Sequence, residues 1–201
     1  MPLPPPDPAL VSRLLEAIER DVLPLTEDGV ARGNKVFGAA LHAKSDLATV
    51  LAATNDELSS PLRHGEMHLL ERYHALPAGE RPEPATLLFV STHEPCSLCL
   101  SAITWSGFDN FVYLFSHEDS RDAFAIPHDL RILKEVFDVE PGGYRRRNAF
   151  WQSHAVPALI AALPPAARAP LEARVARLAE RYAALSDAYQ SGKADNAIPL
   201  R

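Results

Sequence analysis

Three short pieces of the sequence could do chemistry together: Asn55, the run His64-Gly65-Glu66, and Pro95-Cys96-Ser97-Leu98-Cys99. His64, Cys96 and Cys99 offer one imidazole nitrogen and two potential thiolates. Three such ligands hold zinc with the fourth tetrahedral position open, the arrangement of a catalytic rather than a closed structural site. The chain has only 2 cysteines, so no further thiol can close the site and a disulfide framework is excluded. The competing reading of C-x-x-C, a thioredoxin-like redox pair, leaves His64 and Glu66 without a role. Glu66, two residues after His64, is placed to take a proton from a zinc-bound water and pass it on. One zinc per chain on His64, Cys96 and Cys99, with Glu66 as the catalytic acid and base, is the expectation.

The elements that must position these residues follow from periodicity. Asp7 reads as an N-cap with Pro8 at the first helical position. Val11, Leu14, Leu15, Ile18 and Val22 then repeat at helical spacing, so the pattern predicts a helix over about 8–23, ended by Pro24. Two apolar runs, 35–43 and 47–54, flank the polar Lys44-Ser45-Asp46 and predict a β-hairpin. A helix is expected over about 64–76, a buried strand over 85–91, a helix from Pro95 to about Ser106 closed by Gly107, a strand over 110–115 and a helix over about 128–137. The three metal ligands thus fall in first helical turns, where the helix dipole favours thiolate. The order predicts a three-layer α/β/α sandwich around a central mixed sheet. Beyond Gly142-Gly143 the composition turns to Ala, Arg and Pro. Leu171, Val175, Leu178, Tyr182, Leu185 and Tyr189 form a stripe on a helix of about 25 residues. The division expected is residues 1–143 as the zinc-bearing domain and 144–201 as a helical extension, packed on that domain or on a second chain.

Composition narrows the function classes. The chain has 201 residues, 47% hydrophobic and 23% charged, with a formal net charge of -6. That is a globular balance, and an acidic one that argues against a nucleic-acid surface. The 18 prolines against 9 glycines point to rigid loop entries. The start, MPLPPPDPAL, has neither a basic nor an apolar segment of a signal peptide. The longest mostly apolar stretch, 155–167, is short and broken by Pro157, Pro164 and Pro165. A soluble, cytoplasmic protein without membrane contact is expected. The basic run Arg145-Arg146-Arg147 beside Tyr144 reads as a solvated loop. Among the histidines, His68 is assigned a backbone or inter-helix hydrogen bond. His93 and Glu94 are assigned local turn bonding, and His42, His74, His117 and His154 structural or solvated places. His128, beside Asp129, is the loop histidine with the best case for lining a pocket, although a structural or solvated place is the expectation for it too.

His-x-Glu followed by Pro-Cys-x-x-Cys resembles the signature of the zinc-dependent deaminases of cytidine-deaminase type. Phe37-Gly38-Ala39 and Asn55 resemble the family's substrate-pocket elements, and the resemblance covers roughly residues 30–137. Pro95-Cys96 to Trp105-Ser106, Tyr113, Glu118-Asp119-Ser120 and 128–132 are most similar to guanine deaminases. That resemblance implies that Phe37 stacks on the base, Asn55 hydrogen-bonds it, Trp105 closes the pocket wall and Asp129 holds an amino or ring N–H. Two departures stand out. The loop before Asp129 lacks the family's Gly-Phe-Asp-Asp pattern, and Gly65 stands where guanine and tRNA adenosine deaminases carry Ala and fungal cytosine deaminases carry Gly. Gly65 is read as letting the base edge approach the helix backbone. The implied activity is hydrolytic deamination of a free nucleobase or small heterocycle, guanine-like, with ammonia released. The alternatives are adenosine in tRNA, or cytosine or cytidine. The resemblance also implies a homodimer, and two-fold dimers are the commonest soluble oligomers.

Overall fold

The computed structural model describes residues 6–140 and 143–201. The Pro-rich start at residues 1–5 and the expected boundary residue Gly142 lie outside the described residues. The described strands are β1 (Gly38–Ala43), β2 (Thr49–Thr54), β3 (Leu87–His93), β4 (Asn110–Phe115) and β5 (Gln152–Ala155). They form one mixed sheet in the order β2-β1-β3-β4-β5. β1 is antiparallel to β2 and β3, and β3, β4 and β5 run parallel.

The helices are α1 (Pro8–Ala17), α2 (Leu23–Ala31), α3 (Gly65–His74), α4 (Ser97–Trp105), α5 (His117–Asp122), α6 (His128–Phe137), α7 (Val156–Ala161) and α8 (Pro165–Gly192). Alternation along the strands sorts the core into two layers. Leu88, Val90, Val112 and Leu114 face α1, α7 and α8 with Leu14, Ile18, Leu159 and Tyr182. Leu87, Phe89, Phe111 and Tyr113 face α3 and α4 with Leu69, Tyr73 and Ile103. Both faces of the sheet are therefore covered, which is the three-layer sandwich that the element order predicts.

Several boundaries differ from the periodic reading, each for a local reason. Pro24 does not end the first helix. The chain passes through a π-turn at Ile18–Val22, in which the Leu23 N–H reaches Ile18 O, and Pro24 falls in the first turn of α2, where its missing N–H is not needed. The second hairpin strand starts at Thr49 rather than Leu47, because Leu47 takes a left-handed conformation (φ 60°) in the turn. The acidic loop after β4 is helical: Ser116 and Asp119 form a reciprocal capping box that starts α5. β5 escaped the sequence reading because its four residues show no strong alternation. It is recruited by pairing with the exposed edge of β4.

The segment from 144 onward thus adds a strand to the sheet as well as helices. In α8, Leu171, Leu178, Tyr182 and Tyr189 are buried, and Val175 and Leu185 pack against the same core cluster. The stripe is spent on the chain's own domain, where α8 crosses α1 and α2; Arg174 pairs with Glu19 at 2.7 Å in that seam. Among the described residues no helix is long and apolar enough to cross a membrane.

Candidate active site

β3 delivers the chain at His93 to Glu94-Pro95-Cys96, and α4 begins immediately after. Cys96 is the N-cap of α4 and Cys99 lies in its first turn. β2 leads through Asn55 to α3, with His64 as its N-cap. Two helix N-termini therefore meet at the carboxyl end of β3, where their dipoles favour anions and lower the cost of thiolate.

The three expected ligands converge. His64 Nδ1 is 3.4 Å from Cys96 Sγ and 3.7 Å from Cys99 Sγ, and the two sulfurs are 3.5 Å apart. Bond lengths of about 2.3 Å to sulfur and about 2.0–2.1 Å to nitrogen make the edges of a tetrahedral zinc site about 3.6 Å (N···S) and about 3.8 Å (S···S). The donor atoms thus match the edges of that polyhedron, and the set fits one zinc ion. The electrostatics agree. The Cys96 thiol is held well below its ordinary value by the Cys99 hydrogen bond and His64, although burial opposes this. Burial would lower the His64 pKa, but Cys96, then Glu57 and Glu66, raise it to about 9. The pocket holds an excess of negative charge that a cation satisfies.

Glu66 is buried beside these ligands. Its Oε1 accepts from Ser91 Oγ at 2.7 Å, and Oε2 lies 3.4 Å from Cys99 Sγ. Burial, then the charge of Cys96, pushes its pKa up against the Ser91 hydrogen bond. Ser91 was invisible as a site residue in sequence. It lies on the α3 face of the sheet by the alternation of β3, in step with Leu87 and Phe89 and opposite Ala39 of β1.

A cavity of about 260 Å³ adjoins the cluster. Phe37, His128 and Asp129 line it together with Glu66, His64 and Cys96, while Ile126 and Ile132 make it apolar. Phe37 meets His93 edge to face at 4.7 Å, which fixes its ring. Asp129 is half-buried, and burial with the nearby Cys96 raises its pKa to about 8. Ile198, Pro199 and Leu200 contribute to the cavity wall, and Asn196 ties this segment to Gly33 O at 3.1 Å.

Three expected pocket residues lie elsewhere in this chain. Trp105 is 91% exposed at the end of α4 and does not wall its own chain's cavity; the last helical turn carries it to the surface. Asn55 is buried behind the cavity lining, with Oδ1 accepting from the Gly65 N–H and Nδ2 donating to Glu57 Oε2 at 2.7 Å. It braces the start of α3. Gly65 is required by the backbone rather than by a ligand: a Cβ there would stand 2.6 Å from Gly38 Cα and 2.9 Å from Gly38 N.

Other groups escaped the sequence reading. Lys35 and Glu57 form a buried ion pair at 2.8 Å on the cavity wall. The carboxylate of Glu94 is bonded far beyond its own turn: it accepts from the Tyr144 hydroxyl, from Arg146 at 3.0 Å and from the His117 N–H at 3.1 Å. Arg146 is therefore an anchor of the metal loop rather than part of a solvated run. His68 Nδ1 bonds Thr54 O at 2.9 Å, the backbone contact expected of it.

Residues 15–115 match the profile of the cytidine and deoxycytidylate deaminase zinc-binding region. No curated protein matches the chain significantly. Among solved structures, a guanine deaminase from Nitrosomonas europaea shares the fold at 19% identity. It covers 87% of this chain and 84% of that one, with a TM-score of 0.50. A protein variant solved in complex with 8-azaguanine aligns at 19% identity over 90% and 86% of the two chains, with a TM-score of 0.51. A guanine deaminase from Bacillus subtilis aligns at 27% identity over 60% and 75%, with a TM-score of 0.49.

Proposed function

The chain belongs to the cytidine and deoxycytidylate deaminase zinc-binding family and is a hydrolytic C–N deaminase; on that premise we propose that its substrate is a free nucleobase or related small heterocycle, guanine-like. The observation that carries this is the small cavity beside the cluster. At about 260 Å³, lined in part by Ile198, Pro199 and Leu200, it lies below the ~300–1,000 Å³ of sites for drug-sized ligands. It suits a single base, and the formal net charge of -6 disfavours the tRNA reading. The purine preference draws on the fold shared with the Nitrosomonas guanine deaminase.

In the net reaction water and an amino heterocycle give an oxo heterocycle and ammonia. Zinc, when bound by His64, Cys96 and Cys99, supplies Lewis acidity that makes water a nucleophile near neutral pH. Glu66 moves the protons. Ser91 anchors its Oε1, so Oε2 faces the reacting side; there it takes a proton from the attacking water and gives one to the ring nitrogen beside the amino-bearing carbon. Oε2 then takes the remaining proton from the added hydroxyl and delivers it to the departing amine, which leaves as ammonia while the hydroxyl becomes the oxo group. The upward pressure on its pKa suits a group that must both accept and release a proton. Phe37 supplies a face for stacking, and Asp129 a carboxyl able to donate or accept at the ring edge.

Two thiols that must stay reduced to bind metal fit a cytoplasmic setting. The 91% exposed Trp105 and the 68% exposed Phe150 support burial against a second copy in a homodimer. Sedimentation showing a monomer at micromolar concentration would refute the dimer. The substrate is tested by ammonia release from free bases, nucleosides and tRNA; turnover of tRNA but of no free base would overturn the reading.

A further inference from the structure

We propose that Lys35 reads a ring oxo group on the substrate, so that the enzyme selects amino heterocycles carrying a carbonyl over those that lack one. This deepens the free-base reading of the same site and rests on it. Lys35 lies in the segment entering β1, is 4% exposed, and lines the cavity two residues before Phe37. An ammonium has three N–H donors. One is used: Nζ donates to Glu57 Oε1 at 2.8 Å. Among the described residues no second acceptor reaches Nζ within hydrogen-bond distance, so two donors are unfilled on a residue that lines the cavity. Glu57 cannot turn to serve them, because its Oε2 is held by Asn55, whose Oδ1 in turn accepts from the Gly65 N–H. The pair is thus locked from behind. Gly33, two residues before Lys35, is fixed by the tail through Asn196.

Buried donors without partners are costly, and a ligand oxygen placed there recovers that cost. Charge decides which oxygen. Lys35 is already neutralised by Glu57, and Glu66 and Asp129 share the same cavity. A carboxylate or phosphate would bring a charge that the already neutralised Lys35–Glu57 pair does not balance, whereas a neutral carbonyl accepts from the ammonium without adding charge. The substrate class selected is therefore the aminated oxo-heterocycle: guanine, isoguanine or cytosine, as opposed to 2-aminopurine, adenine or 4-aminopyrimidine.

The test measures kcat/KM on the zinc-loaded full chain for three pairs differing only in the oxo group: guanine and 2-aminopurine, isoguanine and adenine, cytosine and 4-aminopyrimidine. Lys35→Met keeps the apolar stem and removes the donors. Lys35→Met combined with Glu57→Gln avoids stranding a buried carboxylate should the single variant fail to fold. Wild type is expected to prefer the oxo member of the pair it turns over, and the variant to lower that ratio about 10- to 100-fold, the worth of one hydrogen bond from a charged donor. A role in folding or metal positioning alone would lower both members together and leave the ratio unmoved, which would overturn the assignment. A wild-type ratio near one in an enzyme that releases ammonia from either member would also overturn it, while leaving the free-base reading intact. Ammonia from no base at all would overturn the free-base reading and this inference with it.

Discussion

Replacing Gly65 by alanine tests how tightly the metal site depends on the packing of α3 against β1. The new Cβ would stand 2.6 Å from Gly38 Cα, 2.9 Å from Gly38 N and 3.0 Å from Phe37 C. All three are backbone atoms in or beside the sheet, so no flexible side chain can swing away. Restoring ordinary contact near 3.6 Å moves the start of α3 by about 1 Å, and the overpacking costs about 1–3 kcal/mol. For a chain of this size that lowers Tm by roughly 2–4 °C per kcal/mol. The displaced turn carries His64 and Glu66, while Cys96 and Cys99 remain on α4. A misplacement of about 1 Å between catalytic groups can cost ~100-fold in rate. Gly65→Ala is therefore expected to melt several degrees lower, to hold zinc more weakly, and to lose about two orders of magnitude in kcat. Thermal unfolding, zinc content after dialysis against a competing chelator, and turnover on the best base provide the assay. A variant with unchanged Tm, full zinc and activity within threefold of wild type would show that α3 shifts freely and that the close approach does not position the site.

Purified protein should carry one zinc per chain, and Cys99→Ala should lose it in elemental analysis, because two ligands alone hold the ion poorly; unchanged zinc content would contradict the ligand assignment. Glu66→Gln preserves shape and Ser91's neighbour but removes the proton carrier, so zinc should remain while kcat falls by ~100- to 10,000-fold; a loss under tenfold would give Glu66 another task. His93 is buried among Phe37, Phe115 and Tyr182, and burial, then His117, lowers its pKa from 6.5 to about 3. Between those two values the unfolded chain binds a proton that the native state refuses. The fully present stability above about pH 6.5 therefore declines as the pH falls towards 3, by up to about 1.4 kcal/mol per pH unit for this one group. The stability of His93→Phe, followed by denaturant unfolding across that range, should show a shallower acid slope; parallel curves for the two proteins would refute the buried-neutral assignment.

Much of this protein is legible in the residues taken in order. The zinc ligands and Glu66 are legible because the chemistry demands particular side-chain types at short spacing, and because His64 and Cys96 open helices whose starts are marked by local signals. Strands β1 to β4 and helices α3, α4 and α6 are legible because each carries its own apolar density. The stripe from Leu171 to Tyr189 announces a helix that must be covered, but only the packing of α8 on α1 and α2 decides that its own domain covers it. What tertiary structure alone decides are contacts between segments remote in sequence. Arg146 meets Glu94 because β5 joins the edge of β4 and brings residues 144–147 back to the metal loop. Ser91 meets Glu66 because α3 packs on the face of the sheet that Ser91 shares with Phe89, and residues 198–200 return to line a cavity that Lys35 also lines. Gly65 and Trp105 show the limit from the other side. Residue type at Gly65 and family resemblance at Trp105 point to ligand contact, yet the first is fixed by a strand backbone pressed against it and the second by the direction in which a helix ends. Spacing along the chain specifies which groups can react; which of them face one another depends on long-range packing that no local pattern encodes.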